Sequence, residues 1–129
     1  MKKKRLHTIL LAALLVITTT SFAQQLEKTV ADYVAAGVAA QQAGNFEEAL
    51  RQYAEAIKLD PKDFGAQFNS GAAAMTLRKP EQALPFFKVA VELKPNEPMA
   101  HYGLGSAYGV TGHAAEAIDA LKEAIRLDP

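Results

Sequence analysis

Apolar residues recur along the chain with the spacing of an amphipathic helix. In residues 46–59 charged side chains separate five apolar positions, which are Ala49, Leu50, Tyr53, Ala56 and Ile57. Steps of one, three, three and one residues place these side chains on one stripe of a helix. Asn45 supplies an N-cap before the stripe, and Pro61 ends it because proline has no backbone donor and restricts the residue before it. The pattern predicts a helix between Asn45 and Pro61.

The same signals predict five more helices. One opens after Thr29, which with Asp32 forms a capping-box pattern, and runs to Ala43, where Gly44 supplies a left-handed residue. The other four cover residues 64–77, 80–93, 98–111 and about 114–127. Pro85 falls inside the second of these four, so we expect that helix to start late or to bend near Glu81.

Residue types repeat with a period of 34, and such self-similarity indicates a repeat architecture. Large apolar residues fill one column, at Tyr53, Phe87 and Leu121. Small residues and proline fill four others, at Gly37, Gly71 and Gly105; Ala49, Ala83 and Ala117; Ala56, Ala90 and Ala124; and Pro61, Pro95 and Pro129. The period divides the chain into helix pairs at 30–63, 64–97 and 98–129, after a short lead at 24–29. Glycine and alanine columns allow helix axes to approach to about 8 Å instead of about 10 Å.

The columns together resemble the tetratricopeptide repeat, whose pattern combines a leading aromatic, a Leu-Gly pair, a tyrosine, alanine, a second aromatic, alanine and proline. Tyr33 takes the leading aromatic place in the first copy, and Leu104, Gly105 and Tyr108 match the third copy. Gln67 and His101 replace the leading aromatic, and Ala36, Ser70, Ala40 and Ala74 also depart from the pattern, which suggests looser packing in the first helices of copies one and two. The resemblance implies an all-α superhelix (a solenoid) of three helix-turn-helix repeats, in which the first helix of each copy lines a concave groove.

The first 23 residues have the parts of a secretory signal peptide. Four basic residues precede a nine-residue apolar run from Ile9 to Ile17, which is shorter than the roughly 20 residues that a membrane-crossing helix needs. Ser21 and Ala23 are small residues placed for cleavage before Gln24. We therefore expect a bacterial exported protein, periplasmic or secreted, without a stable membrane span after cleavage; an uncleaved anchor is the alternative.

Composition and net charge exclude some classes of function. The chain has 14 basic and 14 acidic residues, and removal of residues 1–23 takes four bases and no acid, which leaves a net charge near −4. Nucleic-acid binding depends on lysine and arginine, so we exclude nucleic acid as the main partner. The chain also lacks cysteine, so it needs no disulfide framework.

No residue pattern indicates catalysis, a metal site or a cofactor. His101 and His113 stand twelve residues apart without zinc-ligand spacing. The glycines between 103 and 112 lie in a helical repeat, and no strand precedes them as a phosphate loop would require. Carboxylate pairs such as Glu47 with Glu48 fall on polar helix faces. We expect a non-catalytic protein.

Register with the family assigns the groove lining to nine residues, with Thr76 and Gly109 beside them: Val34, Val38 and Gln41; Phe68, Ala72 and Met75; and Tyr102, Ser106 and Val110. Chaperone-binding members hold a terminal carboxylate at such places with lysine, asparagine and arginine, and those residue types are absent here. The resemblance implies a scaffold that binds a protein or peptide partner of unknown identity, with Phe68 and Tyr102 as anchors. In the alternative interpretation these side chains pack in the core or lie under a terminal helix.

A further alternative is self-association or membership of a longer envelope protein. The apolar stripe of Ile118, Leu121, Ala124 and Ile125 is expected to be partly uncovered, because repeat arrays need a polar cap on the final copy. A homo-oligomer through this helix would cover it. Another possibility is a scaffold that recruits substrate for an enzyme domain beyond residue 129.

Overall fold

The structure is a computed structural model that describes residues 3–5, 9 and 27–129. From residue 27 onward it contains no strand, and six helices follow one another. They are α1 (Val30–Gln42), α2 (Phe46–Leu59), α3 (Phe64–Thr76), α4 (Pro80–Leu93), α5 (Pro98–Val110) and α6 (Ala114–Leu127). Apart from residues 3–5 and 9, the expected signal peptide at 1–23 lies outside the described residues.

The six helices form three antiparallel pairs that stack side by side. Each helix contacts the next one along the chain, and α3 also contacts α1 and α5. The first helices of the repeats therefore lie next to one another, and the second helices lie behind them. This arrangement confirms the all-α superhelix of three helix-turn-helix repeats. Among the helices that the structure describes, none has the length and apolar character that crossing a membrane requires.

Side chains cap the N-termini of the first three helices. At α1, the Thr29 hydroxyl accepts from the Asp32 backbone N–H at 3.2 Å, and the Asp32 carboxylate accepts from the Thr29 N–H at 2.8 Å, so the predicted capping box is present. Asn45 caps α2 by accepting from the Glu48 N–H at 3.2 Å. Asp63 does the same for α3.

The first helix of each pair ends one residue earlier than the sequence indicated. Ala43, Leu77 and Thr111 are C-caps and not helical residues, because the chain turns immediately after them. The next residue is left-handed in every copy, with φ of 78° at Gly44, 58° at Arg78 and 82° at Gly112. Glycine takes this conformation at no steric cost, whereas Arg78 does not. The helix boundary is set by this turn.

The expected late start of the helix that holds Pro85 is wrong. Helix α4 begins at Pro80, where the missing donor is harmless because the first helical N–H groups have no partner, and it continues through Pro85 to Leu93. Pro85 cannot bond the Glu81 carbonyl. Both residues are exposed, so water can reach that carbonyl.

Two aromatic side chains form the centre of the core. Tyr53 is 0% exposed and Phe87 2% exposed. A Cβ added at Gly37 would lie 2.3 Å from the Tyr53 ring, and one added at Gly71 would lie 2.8 Å from the Phe87 ring. Glycine therefore allows each first helix to press against the aromatic of its partner helix. In copy three Gly105 approaches Leu121 in the same way.

The repeated alanines fill the remaining contacts between helices. Ala49, Ala56, Ala83 and Ala90 are all 0% exposed, and Ala117 and Ala124 are buried in the third copy.

Looser packing is not seen in α3, where Ser70 and Ala74 are 1% and 0% exposed. The Ser70 hydroxyl donates to the Ala66 carbonyl within the helix at 2.7 Å. Gln67, which replaces the leading aromatic, donates from Nε2 to the Pro61 carbonyl at 2.8 Å. His101 lies 2.7 Å from the Pro95 carbonyl through its Nε2. The two polar replacements thus tie their helices to the turn between repeats.

Candidate functional site

The most exposed apolar groove positions lie on α5. Tyr102, Ser106 and Val110 recur every fourth residue, which aligns them along one side of the helix. Tyr102 is 55% exposed and Val110 68% exposed, and Ser106 between them is half-buried. The core does not need these two large side chains, so they are available to a partner.

The expected groove anchor Phe68, on α3, packs against aromatic side chains of the fold. Its ring stacks on Phe64 with centroids 5.7 Å apart and meets Phe87 edge-on at 5.8 Å. Phe68 and Met75 both pack against the buried cluster around Phe87, and Ala72 is half-buried. For Phe68 the core-packing interpretation therefore fits the contacts better than a free anchor does.

The groove positions of α1 are also engaged within the fold. Val38 packs against the cluster of Ala49, Tyr53 and Ala73, and Val34 is half-buried beside α3. The Gln41 Oε1 accepts from the Tyr53 hydroxyl at 3.1 Å. Burial raises the pKa of Tyr53, so this hydroxyl stays protonated and continues to donate. Gln41 thus supports α2 instead of pointing freely into the groove.

Met75 and Val110 come together in one surface depression of about 450 Å³. Arg78, Pro80 and Glu81 complete its wall. The depression joins the ends of α3 and α5, so a ligand there would contact two repeats at once. Three of its lining side chains are apolar, and the other two are one positive and one negative side chain.

A second apolar opening, of about 300 Å³, lies on the outer side of the third repeat. We call this surface the tail face; it is lined by Pro98, Met99, Tyr102, Leu121, Ala124, Ile125 and Asp128. The sequence did not predict Met99 as a site residue, although its side chain is 55% exposed. The equivalent residue of the second copy is Gly65, so the repeat pattern indicated no apolar position there. Tyr102 therefore stands at the junction of groove and tail face.

The expected uncovered stripe of α6 is present in part. Ile118 is 53% exposed and Ile125 65% exposed, and Leu121 is half-buried. Ala124 was expected to share this exposure but is only 8% exposed, because its short side chain faces inward with the small-residue column of the repeat.

Charged groups outside the groove form local pairs along the helices. Gln52 and then Arg51 donate hydrogen bonds to the Glu48 carboxylate, and these bonds hold its pKa below the usual range. Arg126 lowers the pKa of Glu123 in the same way. Such exposed pairs contribute little to stability and suggest no acid–base pair. In residues 27–129 and the few described before them, no three His, Asp or Glu side chains form a group that could hold a metal ion.

Sequence comparison agrees with this architecture. A family model described as tetratricopeptide repeat matches residues 34–98, and a second model with the same description matches residues 98–129. The chain belongs to the tetratricopeptide repeat family. No curated protein sequence matches it.

Solved structures of tetratricopeptide repeat proteins resemble the chain in fold. MamA 41-end from Desulfovibrio magneticus RS-1 is 28% identical with a TM-score of 0.75, over 78% of this chain and 56% of that one. MamA of MSR-1 is 26% identical with a TM-score of 0.71, over 78% and 57%. This chain thus spans less than two thirds of either MamA chain.

A third structure supports the fold alone. The second TPR of Spaghetti (RPAP3) bound to HSP90 peptide SRMEEVD is 23% identical, with a TM-score of 0.76 over 82% of this chain and 98% of that one. Membership of the tetratricopeptide repeat family supports a role as a protein-interaction scaffold.

Proposed function

We propose that this tetratricopeptide repeat protein is an exported, non-catalytic scaffold that binds an apolar peptide or helix of a partner protein along α5. The exposed stripe of Tyr102 and Val110 is the observation that carries the proposal. Large apolar and aromatic side chains dominate the energetics of protein interfaces, and here two of them face solvent on a rigid helix.

The chemistry of the groove favours a partner segment without charge recognition. None of the nine groove positions is charged. The Spaghetti domain binds the peptide SRMEEVD, in which three of the last four residues are acidic. At the family positions that hold a terminal carboxylate in chaperone-binding members, this chain has residues such as Val34, Phe68 and Tyr102. The proposed ligand therefore buries apolar side chains, and its carboxyl terminus is not required.

Binding is tested by selecting linear peptides from a displayed library on the immobilised protein. Val110→Asp places a charge on the exposed stripe, and we expect affinity for selected peptides to fall at least tenfold, or about 1.4 kcal/mol. Ala115→Asp is the matched control, because it adds the same charge at an exposed position on α6. Equal binding by both variants, with unchanged far-UV circular dichroism, would exclude the groove.

Phe68→Ala is unsuitable for this experiment, although the resemblance placed Phe68 among the anchors. Its ring contacts Phe64 and Phe87, so truncation would lower stability by about 3 kcal/mol and confound binding with unfolding. Tyr102→Ala removes a half-exposed side chain and is the better second probe.

Export rests on the basic start, the short apolar run and the small residues before Gln24. We expect the chain expressed in a bacterium to appear outside the cytoplasm with Gln24 as its first residue. Intact mass and N-terminal sequencing check this, and a full-length product confined to the cytoplasm would overturn it.

A further inference from the structure

Equivalent residues of the three repeats differ in how well they are covered. Tyr53 and Phe87 are 0% and 2% exposed, whereas Leu121 at the same repeat position is half-buried. Four residues further along each helix, Ile57 and Val91 are half-buried, but Ile125 is 65% exposed. The third repeat therefore exposes an apolar surface whose equivalents in the first two repeats are covered. This exposed surface is the tail face.

In the first and second repeats, the first helix of the following repeat covers the equivalent surface. Helix α3 packs on α2 with Ala66 and Ala73 fully buried, and α5 packs on α4 with Ala100 and Ala107 fully buried. The contact is close, since a Cβ added at Gly103 of α5 would lie 2.4 Å from the Phe87 ring. Alanine thus recurs at two positions of the covering helix, whereas the third position is Asn69 in α3 and Gly103 in α5.

Helix α1 has small residues at two of these three positions, on a side that no described residue covers. Ala39 occupies the repeat position of Ala73 and Ala107 and is exposed. Ala35 occupies the position of Asn69 and Gly103, is smaller than Asn69, and is exposed as well. We call this surface, Asp32, Ala35 and Ala39, the head face.

We propose that the head face of one molecule docks on the tail face of a second copy, so that the 34-residue repeat continues from one chain into the next. A second copy is the occupant that the structure supports, because the chain itself carries both halves of a contact that it already makes twice internally. The two surfaces differ, so the contact is heterologous and generates a ring or an open filament.

One residue distinguishes the head face from its internal equivalents. Asp32 stands where Ala66 and Ala100 are fully buried, and its carboxylate accepts two hydrogen bonds from Thr29. Docking would draw this charge out of water, which opposes association. The assembly is therefore weaker than the contacts between repeats and depends on concentration. Asp32→Asn retains an oxygen acceptor for Thr29, removes the charge, and should tighten the assembly.

The experiment measures molar mass by light scattering over a wide concentration range, on the whole chain as recovered, with its N-terminus established by intact mass. Ile125→Arg blocks the tail face and Ala39→Arg blocks the head face. We expect the wild type to exceed dimer mass and each variant alone to be a monomer. An equimolar mixture of the two variants should give a one-to-one complex, because each supplies the face that the other has lost.

Matched controls carry arginine at exposed alanines outside both faces. Ala54→Arg on α2 and Ala115→Arg on α6 should assemble as the wild type does, since the equivalent positions are exposed in all three repeats. Val110→Asp tests independence from the groove and should leave assembly unchanged. Far-UV circular dichroism and thermal melting verify folding, and Ala35→Arg on the head face and Met99→Arg on the tail face replace any variant that does not fold.

Three outcomes would overturn the proposal. A wild type that is monomeric at every concentration shows that the faces do not meet. Assembly lost with Ile125→Arg but retained with Ala39→Arg indicates a symmetric contact between tail faces. Assembly that survives both variants is driven by another segment.

Discussion

Replacing glycine with alanine should have opposite effects on the free energy of unfolding at two positions of α5. A Cβ at Gly103 would lie 2.4 Å from the Phe87 ring, far inside van der Waals contact, whereas one at Gly109 meets only the Ala117 Cβ, at 3.9 Å. Helix propensity alone favours alanine over glycine by roughly 1 kcal/mol in a helix interior. The difference between the two sites therefore isolates the close approach of helices.

The Phe87 ring cannot move away from an added methyl group at Gly103. Gly71 of α3 presses on the same ring, since a Cβ there would lie 2.8 Å from it, and Phe87 is only 2% exposed. Overpacking of this kind costs about 1 to 3 kcal/mol, and a ring held from two helices favours the upper end. After the propensity gain, we expect Gly103→Ala to lower the free energy of unfolding by about 2 kcal/mol.

Gly109→Ala is the matched control on the same helix. Gly109 is exposed and lies next to the helix end, so we expect a gain of about 0.5 kcal/mol. Urea unfolding followed by far-UV circular dichroism measures both values, with the slopes compared to verify that the unfolded states match. If Gly103→Ala also stabilised the protein, the two helices would not be in rigid contact through Phe87.

Three other predictions concern the turns and caps. Arg78→Gly should raise the free energy of unfolding by about 0.5 to 1 kcal/mol in the same urea assay, because Arg78 has a φ of 58°. His101→Ala should lower it by about 1 kcal/mol by removing the contact with the Pro95 carbonyl, whereas His101→Gln should retain most of it; equal losses would show that this hydrogen bond is unimportant. Thr29 holds the pKa of Asp32 below its usual range, so the folded state favours the carboxylate. The stability that the Asp32 carboxylate contributes is present above its pKa in the unfolded state, and it is lost as pH falls through its lower pKa in the folded state. The urea midpoints of the wild type and Asp32→Asn should therefore converge below about pH 4.

Local signals in the sequence predicted nearly all of the secondary structure. The capping residues Thr29 and Asn45 and the 34-residue columns located six helices, with errors of one residue at three helix ends. Those ends depend on a left-handed turn residue. Gly44 shows this conformation by its residue type, but Arg78 at the same repeat position does not.

The candidate site was harder to predict because equivalent repeat positions have different neighbours. Phe68 and Tyr102 share one register, so the sequence assigned both to the groove. Helix α5 packs on the second repeat and Phe68 contacts Phe87, whereas no described helix follows Tyr102. Exposure depends on that next neighbour, and the residue pattern of a single repeat does not contain it.

The Phe87 ring, which α3 and α5 both contact, also determines where the fold unfolds locally. Because α3 and α5 both close on it, neither the second nor the third repeat can detach without exposing an aromatic side chain. Local fluctuations should therefore begin at the outer helices α1 and α6 and spare the middle. Amide hydrogens near Phe87 would be the slowest to exchange with solvent, and a protease cut between α4 and α5 would leave a fragment prone to aggregation.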